Sequence, residues 1–311
     1  MKKIEDEKHL LFCYNKIGEI MNGVLLVKKE IGMTSRDVVD DISKIFHTKK
    51  VGHTGTLDPM AEGLLIVCIG EGTKLVELLT HDEKEYIAEV TLGIITDTLD
   101  KEGTVLKEES VHKTKEEIET ILKSMVGSYE QEVPIYSAIK KNGKKLYEYA
   151  REGKKIKLPK REVTIHSLTL VKEPIYQDGK TIFQIKTKVS KGTYIRSLVR
   201  DIASNLGTIG MMSKLVRTKV GSYELKDAHT ILEYQKGTPI MSIKEALKDF
   251  PSATVSKEFE EKIKHGSILN KENYSCPILF LNQEGNVLAI YKEYEKDKSK
   301  MKPWKVFAEK K

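Results

Sequence analysis

Asp58 is the residue whose neighbours best prepare it for chemistry. It stands in Gly52-His53-Thr54-Gly55-Thr56-Leu57-Asp58-Pro59, followed by Met60-Ala61-Glu62-Gly63 and an apolar run from Leu64 to Ile69. Glycine admits backbone conformations and close approaches that other residues resist. Pro59 fixes its own φ and disfavours helix at Asp58. The carboxylate is therefore expected on a stiff, non-helical loop that leads into a buried strand. An ordinary aspartate, with a pKa of about 3.9, is ionised at neutral pH. It can attack an electrophilic carbon or help a leaving group depart. Asp-Pro also builds plain turns, and alone it would be read that way. His53 beside Asp58 could suggest a hydrolase, but no second acid stands at a readable spacing.

The rest of the composition narrows the classes. The 311 residues suffice for two domains. With 39% hydrophobic and 32% charged residues, a core is expected under a strongly charged surface. No apolar run approaches membrane-spanning length. Met1-Lys2-Lys3 leads into acidic and mixed residues, so no signal peptide is expected. Cys13, Cys68 and Cys276 are far apart and offer neither a zinc spacing nor a disulfide framework. A reducing cytoplasm fits them, and Cys68 is expected in the core.

The net charge of +7 is unevenly placed. Between Lys140 and Arg161 stand ten basic residues and two acidic ones, Glu148 and Glu152, a larger surplus than that of the whole chain. Such a stretch attracts polyanions, and phosphate contacts supply most non-specific affinity for nucleic acid. A solvated lysine-rich face is the plainer alternative.

The elements that must hold these residues follow from periodicity. Residues 1–20 have no clear period and are expected to be a flexible extension. A strand is expected over Gly23–Val27. Thr34 and Asp37 then make a capping box, with Val38, Val39, Ile42, Ile45 and Phe46 on the core face of the helix. Alternation predicts a strand from Lys84 to Leu92, with Tyr86 on its apolar face. Thr114 and Glu117 cap a helix whose stripe is Ile118, Ile121, Leu122 and Met125 and whose end is Gly127. Strands are expected at 163–171 and 182–189. A helix then carries Ile195, Leu198, Val199, Ile202 and Leu206 on one face, with Arg196 and Arg200 one turn apart. After about Tyr234 come a short helix, a hairpin of Ile278–Leu281 with Val287–Tyr291, and a last strand at Pro303–Phe307.

From about Gly23 to Gly221 the chain resembles the TruB family, the pseudouridine synthases that modify uridine 55 in the T arm of tRNA. The resemblance lies in Gly23 to Val39, the Asp58 string, Thr96-Asp97-Thr98-Leu99-Asp100-Lys101-Glu102-Gly103, and Gln131 to Lys140 with Gly143 to Gly153. It continues in Gly192-Thr193-Tyr194-Ile195-Arg196-Ser197-Leu198 and in Met211 to Gly221. Motifs in family order are specific where one short match would not be. Three places depart from the family: Lys28-Lys29-Glu30 replaces Asp-Lys-Pro, Leu99 replaces a usual Gly, and Val133 replaces a frequent Pro. The first weakens any role given to those three residues.

The resemblance implies an α+β fold. Residues 21–234 would form a catalytic domain with a mixed, mainly antiparallel sheet and flanking helices. Residues 235–311 would form a small β-rich module similar to an RNA-binding PUA domain. It implies Asp58 as the catalytic carboxylate, paired with Arg196, and Tyr86 as the ring under the target uracil. Tyr194 would line the far side of the base and Leu215 an apolar wall. His53 would contact the rearranged RNA, and Asp100 is a second-rank candidate for holding RNA or a loop. Lys140, Lys141, Lys144, Lys145 and Arg151 would lie near the bound RNA. No cofactor, metal, membrane or obligatory protein partner is implied, and a monomer acting on tRNA is expected. A guide-RNA-dependent synthase of the same superfamily and a tRNA-folding chaperone without turnover remain alternatives.

Overall fold

The computed structural model describes residues 21–80, 83–272 and 274–307. The extension expected at 1–20 lies outside them. The first half runs β1 (Gly23–Lys29), α1 (Ser35–Ile45), β2 (Val51–His53), β3 (Glu62–Ile69), α2 (Val76–Thr80), β4 (Lys84–Leu92), β5 (Ile94–Thr96) and β6 (Val105–Glu108). Next come α3 (Lys115–Ser124), β7 (Gly127–Glu132), β8 (Lys140–Lys141), β9 (Lys144–Lys145), α4 (Leu146–Arg151), β10 (Lys160–Gln177) and β11 (Lys180–Val189). Then follow α5 (Ile195–Asn205), β12 (Gly210–Val220), β13 (Tyr223–Glu224), α6 (Ile231–Gln235) and α7 (Ile243–Ala246). The chain closes with β14 (Ser252–Thr254), α8 (Lys257–Lys264), β15 (Leu269–Asn270), β16 (Ile278–Leu281), β17 (Val287–Tyr294) and β18 (Asp297–Val306).

The main sheet has the order β1-β3-β12-β4-β11-β10-β7, with β2 on β3 and β13 on β12. Every pairing in it is antiparallel except β3 with β12. It is the mixed, mainly antiparallel α+β sheet expected from the sequence. Strands β10 and β11 run longer than the two expected segments. They pair through to a tight turn at Asp178-Gly179, where both residues have positive φ.

The apolar run after the Asp58 loop is buried on both faces, as a continuous rather than alternating run requires. On one face Leu65, Val67 and Ile69 join Ala88, Val90 and Ile185. Helices α1, α3 and α5 cover them with Val38 and Ile42, Ile118 and Leu122, and Leu198, Val199 and Ile202. Both predicted capping boxes, Thr34 with Asp37 and Thr114 with Glu117, are formed. On the other face Leu64, Ile66 and Cys68 meet Val24 and Leu26 of β1 and also Leu279, Leu281 and Ile290 of the second sheet. Burial pushes the Cys68 thiol up to about 12, so it is an inert core group.

The second sheet has the order β14-β16-β17-β18-β15 and a small core of its own around Phe280 and Tyr291. It contains the predicted hairpin, and β18 starts six residues before the expected strand, at Asp297. Because Leu279, Leu281 and Ile290 share a core with β1 and β3, the two sheets should unfold together. Trp304, the single tryptophan, packs against that shared core. Its fluorescence and the far-ultraviolet circular dichroism are expected to report one urea transition. Ile290→Ala should move both signals, at a cost of about 2–5 kcal/mol. Two separate transitions would mean that the sheets are energetically independent.

Candidate active site

Asp58 lies between β2 and β3, and the loop around it is tied down residue by residue. The Ser35 hydroxyl accepts from Leu57 N–H at 2.8 Å and donates to Leu57 O at 3.2 Å. Gly32 N–H donates to Pro59 O at 2.8 Å, and Ala61 N–H closes a turn onto Asp58 O at 3.0 Å. Two buried cations hold the loop from below. Lys29 Nζ donates to Ala61 O at 2.5 Å and Pro59 O at 3.4 Å, and Arg217 Nη2 donates to Gly55 O at 3.1 Å. Arg217 Nε also bonds Leu64 O at 2.7 Å. Gly63, with φ +111°, makes this possible: a Cβ there would stand 2.4 Å from Arg217 O.

Arg196, in the first turn of α5, meets Asp58. Its Nε lies 2.9 Å from Asp58 Oδ2, and its Nη1 lies 3.6 Å from Asp100 Oδ2. Nη1 donates to Thr98 O at 2.9 Å and Nη2 to Tyr136 O at 3.0 Å. The Arg196 side chain is 7% exposed and that of Asp58 37%. The guanidinium is thus fixed inside, while the carboxylate keeps an open side. Asp100 is buried, and it takes Thr98 Oγ1 at 2.6 Å and Glu102 N–H at 3.1 Å. Leu99 adopts φ +64° in this turn. The glycine usual in the family would avoid the cost of about 1–2 kcal/mol that a left-handed residue carries.

Asp58 opens into a cavity of about 820 Å³. Tyr86 of β4, Tyr194, Leu215 of β12 and Tyr136 are among its walls. Burial raises the Tyr194 phenol above its ordinary pKa. The Ser137 hydroxyl lies near enough to oppose that shift, yet it makes no hydrogen bond of good geometry. It is the one buried side-chain polar atom among the described residues left so. A cavity wall with an unspent hydroxyl suits a polar ligand.

Five residues singled out in the sequence therefore come together: Asp58, Tyr86, Tyr194, Arg196 and Leu215. Asp100, the second-rank candidate, meets Arg196 from behind the cavity wall, while His53 and the basic candidates of the strip do not join them. His53 sits at the end of β2, where its Nδ1 accepts from Gly55 N–H at 3.3 Å and burial lowers its pKa. Lys140, Lys144 and Arg151 lie outside the cavity lining, in the β8–β9 hairpin and α4. Lys144 pairs with Glu152 and lies 5.2 Å from the Tyr149 ring centre, and Arg151 lies 5.2 Å from that of Tyr147. Tyr147 itself lines the cavity, so the basic strip adjoins it.

Sequence reasoning missed Lys29 and Arg217. Lys29 stands in the stretch that departs from the family pattern and whose role was discounted, yet it is fully buried under the Asp58 loop. Arg217, 1% exposed, falls within the Met211 to Gly221 stretch that carries the resemblance, with no role of its own read there. The available signal was position: Lys29 and Arg217 each stand two residues beyond a buried apolar residue, Val27 and Leu215, and so share its face of the strand, where a charge must find partners.

Burial pulls the Lys29 ammonium down from 10.5 to about 8, against the attraction of Asp58 and with help from Arg217. Below about pH 8 both folded and unfolded chains hold this proton. Between about pH 8 and 10.5 the unfolded chain binds it more tightly, so Lys29 makes stability rise with pH in that window. Lys29→Met removes this slope. The stability of the wild type relative to Lys29→Met should therefore increase across the window by up to about 3 kcal/mol in urea titrations. A flat difference would contradict a depressed lysine.

Comparison with known proteins shows the family of the chain. Residues 43–195 match the model of the TruB family pseudouridylate synthase, N-terminal domain. The chain is 43% identical over 298 residues to the tRNA pseudouridine synthase B of Bacillus cytotoxicus, covering 92% of this chain and 97% of that protein. It is 40% identical to the enzyme of that name from Halalkalibacterium halodurans, covering 93% and 98%. Among solved structures it superposes on an H/ACA ribonucleoprotein bound to a substrate RNA containing 2′-deoxyuridine. The TM-score is 0.66 at 21% identity, with 98% of this chain and 88% of that one covered. An archaeal Nop10–Cbf5 complex gives 0.66 at 22% identity, covering 94% and 88%. At that identity these two establish the shared fold. On the sequence relatives, the chain belongs to the TruB family of pseudouridine-forming isomerases.

Proposed function

We propose that this enzyme converts uridine 55 in the T arm of tRNA to pseudouridine, with Asp58 as its catalytic carboxylate. The observation that carries the reading is the Arg196–Asp58 pair at 2.9 Å, on the floor of a cavity walled by Tyr86, Tyr194 and Leu215. The relatives at about 40% identity are tRNA pseudouridine synthases B along nearly their whole length, which supports tRNA as the substrate.

The reaction breaks the C1′–N1 bond, turns the uracil and joins C5 to C1′. N1 gains a proton and C5 loses one. No electrons enter or leave, so the chemistry asks for a placed carboxylate and a shaped cavity. Asp58 acts on the nucleoside by attacking it or by assisting departure of the base. Arg196 keeps that carboxylate aimed through a charge-assisted contact. The target nucleotide must leave its stack, which costs a few kcal/mol, and stacking on Tyr86 offsets this. Tyr194 closes the other side as a neutral phenol, near the C5 proton that is lost last. His53, at the end of β2 just before the loop, would contact the rearranged RNA.

The basic strip from Lys140 to Arg161 then holds the tRNA backbone, and the C-terminal part of the chain, residues 235–311, to which the second sheet belongs, is a PUA-like RNA-binding module. The protein works alone, as a monomer, in the cytoplasm. Among the described residues no helix is long and apolar enough to cross a membrane.

Two measurements check this division of labour. Wild type should release tritium from one site of a tRNA transcript carrying 5-tritiated uridine, with no guide RNA or cofactor added. Asp58→Asn should release none while binding the transcript as before. No release from wild type despite tight binding would favour a guide-dependent enzyme or a chaperone. Separately, Lys140, Lys155 and Lys157 are exposed on the strip. Changing all three to Gln should weaken tRNA binding and make the plot of log K against log salt shallower by about 2. An unchanged slope would put the RNA path elsewhere.

A further inference from the structure

Gln131, at the end of β7, is wholly buried and has no part in the chemistry above. Its amide closes on one residue from both sides. Its Oε1 accepts from Tyr194 N–H at 2.8 Å, and its Nε2 donates to Tyr194 O at 3.1 Å. Nε2 also donates to the Tyr129 hydroxyl at 2.8 Å. The orientation is set from behind. Tyr129 donates to Asp201 Oδ2 at 3.1 Å, and Asp201 Oδ1 is held by Arg200 Nε at 2.9 Å and Nη2 at 2.8 Å. A hydroxyl that gives its proton to a carboxylate can only accept from the amide, so the NH₂ faces Tyr129 and the carbonyl oxygen faces Tyr194 N–H.

Tyr194 needs such a hold. It precedes α5 in an extended conformation, φ −94° and ψ 114°, and its side chain makes no capping bond. Its N–H lies outside the helical ladder, and its carbonyl already accepts from Leu198 N–H. The two bonds to Gln131 fix the backbone on either side of its Cα and so the direction in which the ring leaves the chain. A small backbone rotation there becomes a ring displacement on the order of 1 Å, enough to cost up to about 10²-fold in rate. Arg196 is tied separately, through Thr98 O and Tyr136 O.

We propose that Gln131 is a positioning residue for Tyr194, clamping its backbone so that the ring stands against the flipped base in the Asp58 cavity. This rests on the proposed function, because Tyr194 matters through that base.

The test is single-turnover tritium release by the full chain on 5-tritiated tRNA. Gln131→Leu should slow release by about 10- to 100-fold and leave the tRNA Kd within about twofold. Gln131→Glu supplies a second readout. Ionised, it presents acceptors to Tyr194 O and the Tyr129 oxygen; protonated, it regains a donor beside its acceptor. The rate of Gln131→Glu, divided by that of wild type, should therefore climb several-fold as pH falls from about 8.5 to 5.5. A residue that merely fills space would give no such climb. If Gln131→Leu fails to fold by circular dichroism, the Gln131→Glu profile decides alone. A wild-type rate for folded Gln131→Leu, or a flat ratio for Gln131→Glu, overturns the role and leaves the proposed function standing. A wild type that releases no tritium overturns both.

Discussion

The guanidinium of Arg196 is the constraint on which the site depends. A charge this buried must be neutralised and hydrogen-bonded, or it costs several kcal/mol. Its partners come from distant parts of the chain: Asp58 from the β2–β3 loop, Asp100 and Thr98 from the turn after β5, and Tyr136 from the segment after β7. Satisfying one side chain therefore assembles three loops. The same bond that orients the carboxylate also draws the cavity walls together, so substrate shape and chemical position are set by one interaction.

Two further cations, Lys29 and Arg217, work from beneath. Their hydrogen bonds to the loop go to backbone carbonyls of Gly55, Pro59 and Ala61, and the Pro59 carbonyl also takes Gly32 N–H. The loop's course thus follows from the need of buried ammonium and guanidinium groups for oxygen. Lys29 pays part of its own desolvation by losing some hold on its proton, while the nearby Asp58 charge acts to keep it.

Outside the cavity, the basic strip is less free than its sequence suggests. Glu152 takes both Lys144 and Lys154, and aromatic rings carry Lys144, Lys145 and Arg151. These contacts fold the lysine-rich stretch into a small hairpin and helix beside the cavity. The exposed lysines then form its outer face, and Tyr147 is its inner one.

The sequence by itself determined much of this. Periodicity located α1, α3, α5 and the strand of Tyr86, because a core face repeats locally and capping boxes are short-range. The Gly-rich string and the family resemblance selected Asp58, Tyr86, Tyr194, Arg196 and Leu215, because those motifs are contiguous. Tertiary structure alone decided what surrounds them. Gln131 and Tyr194 are far apart in the chain, as are Lys29 and Ala61, Arg217 and Gly55, and Arg196 and Tyr136, and no local pattern marks such pairs. A buried cation or amide finds its acceptors only after the sheet has closed, since distance in space, not in sequence, sets hydrogen bonds and desolvation.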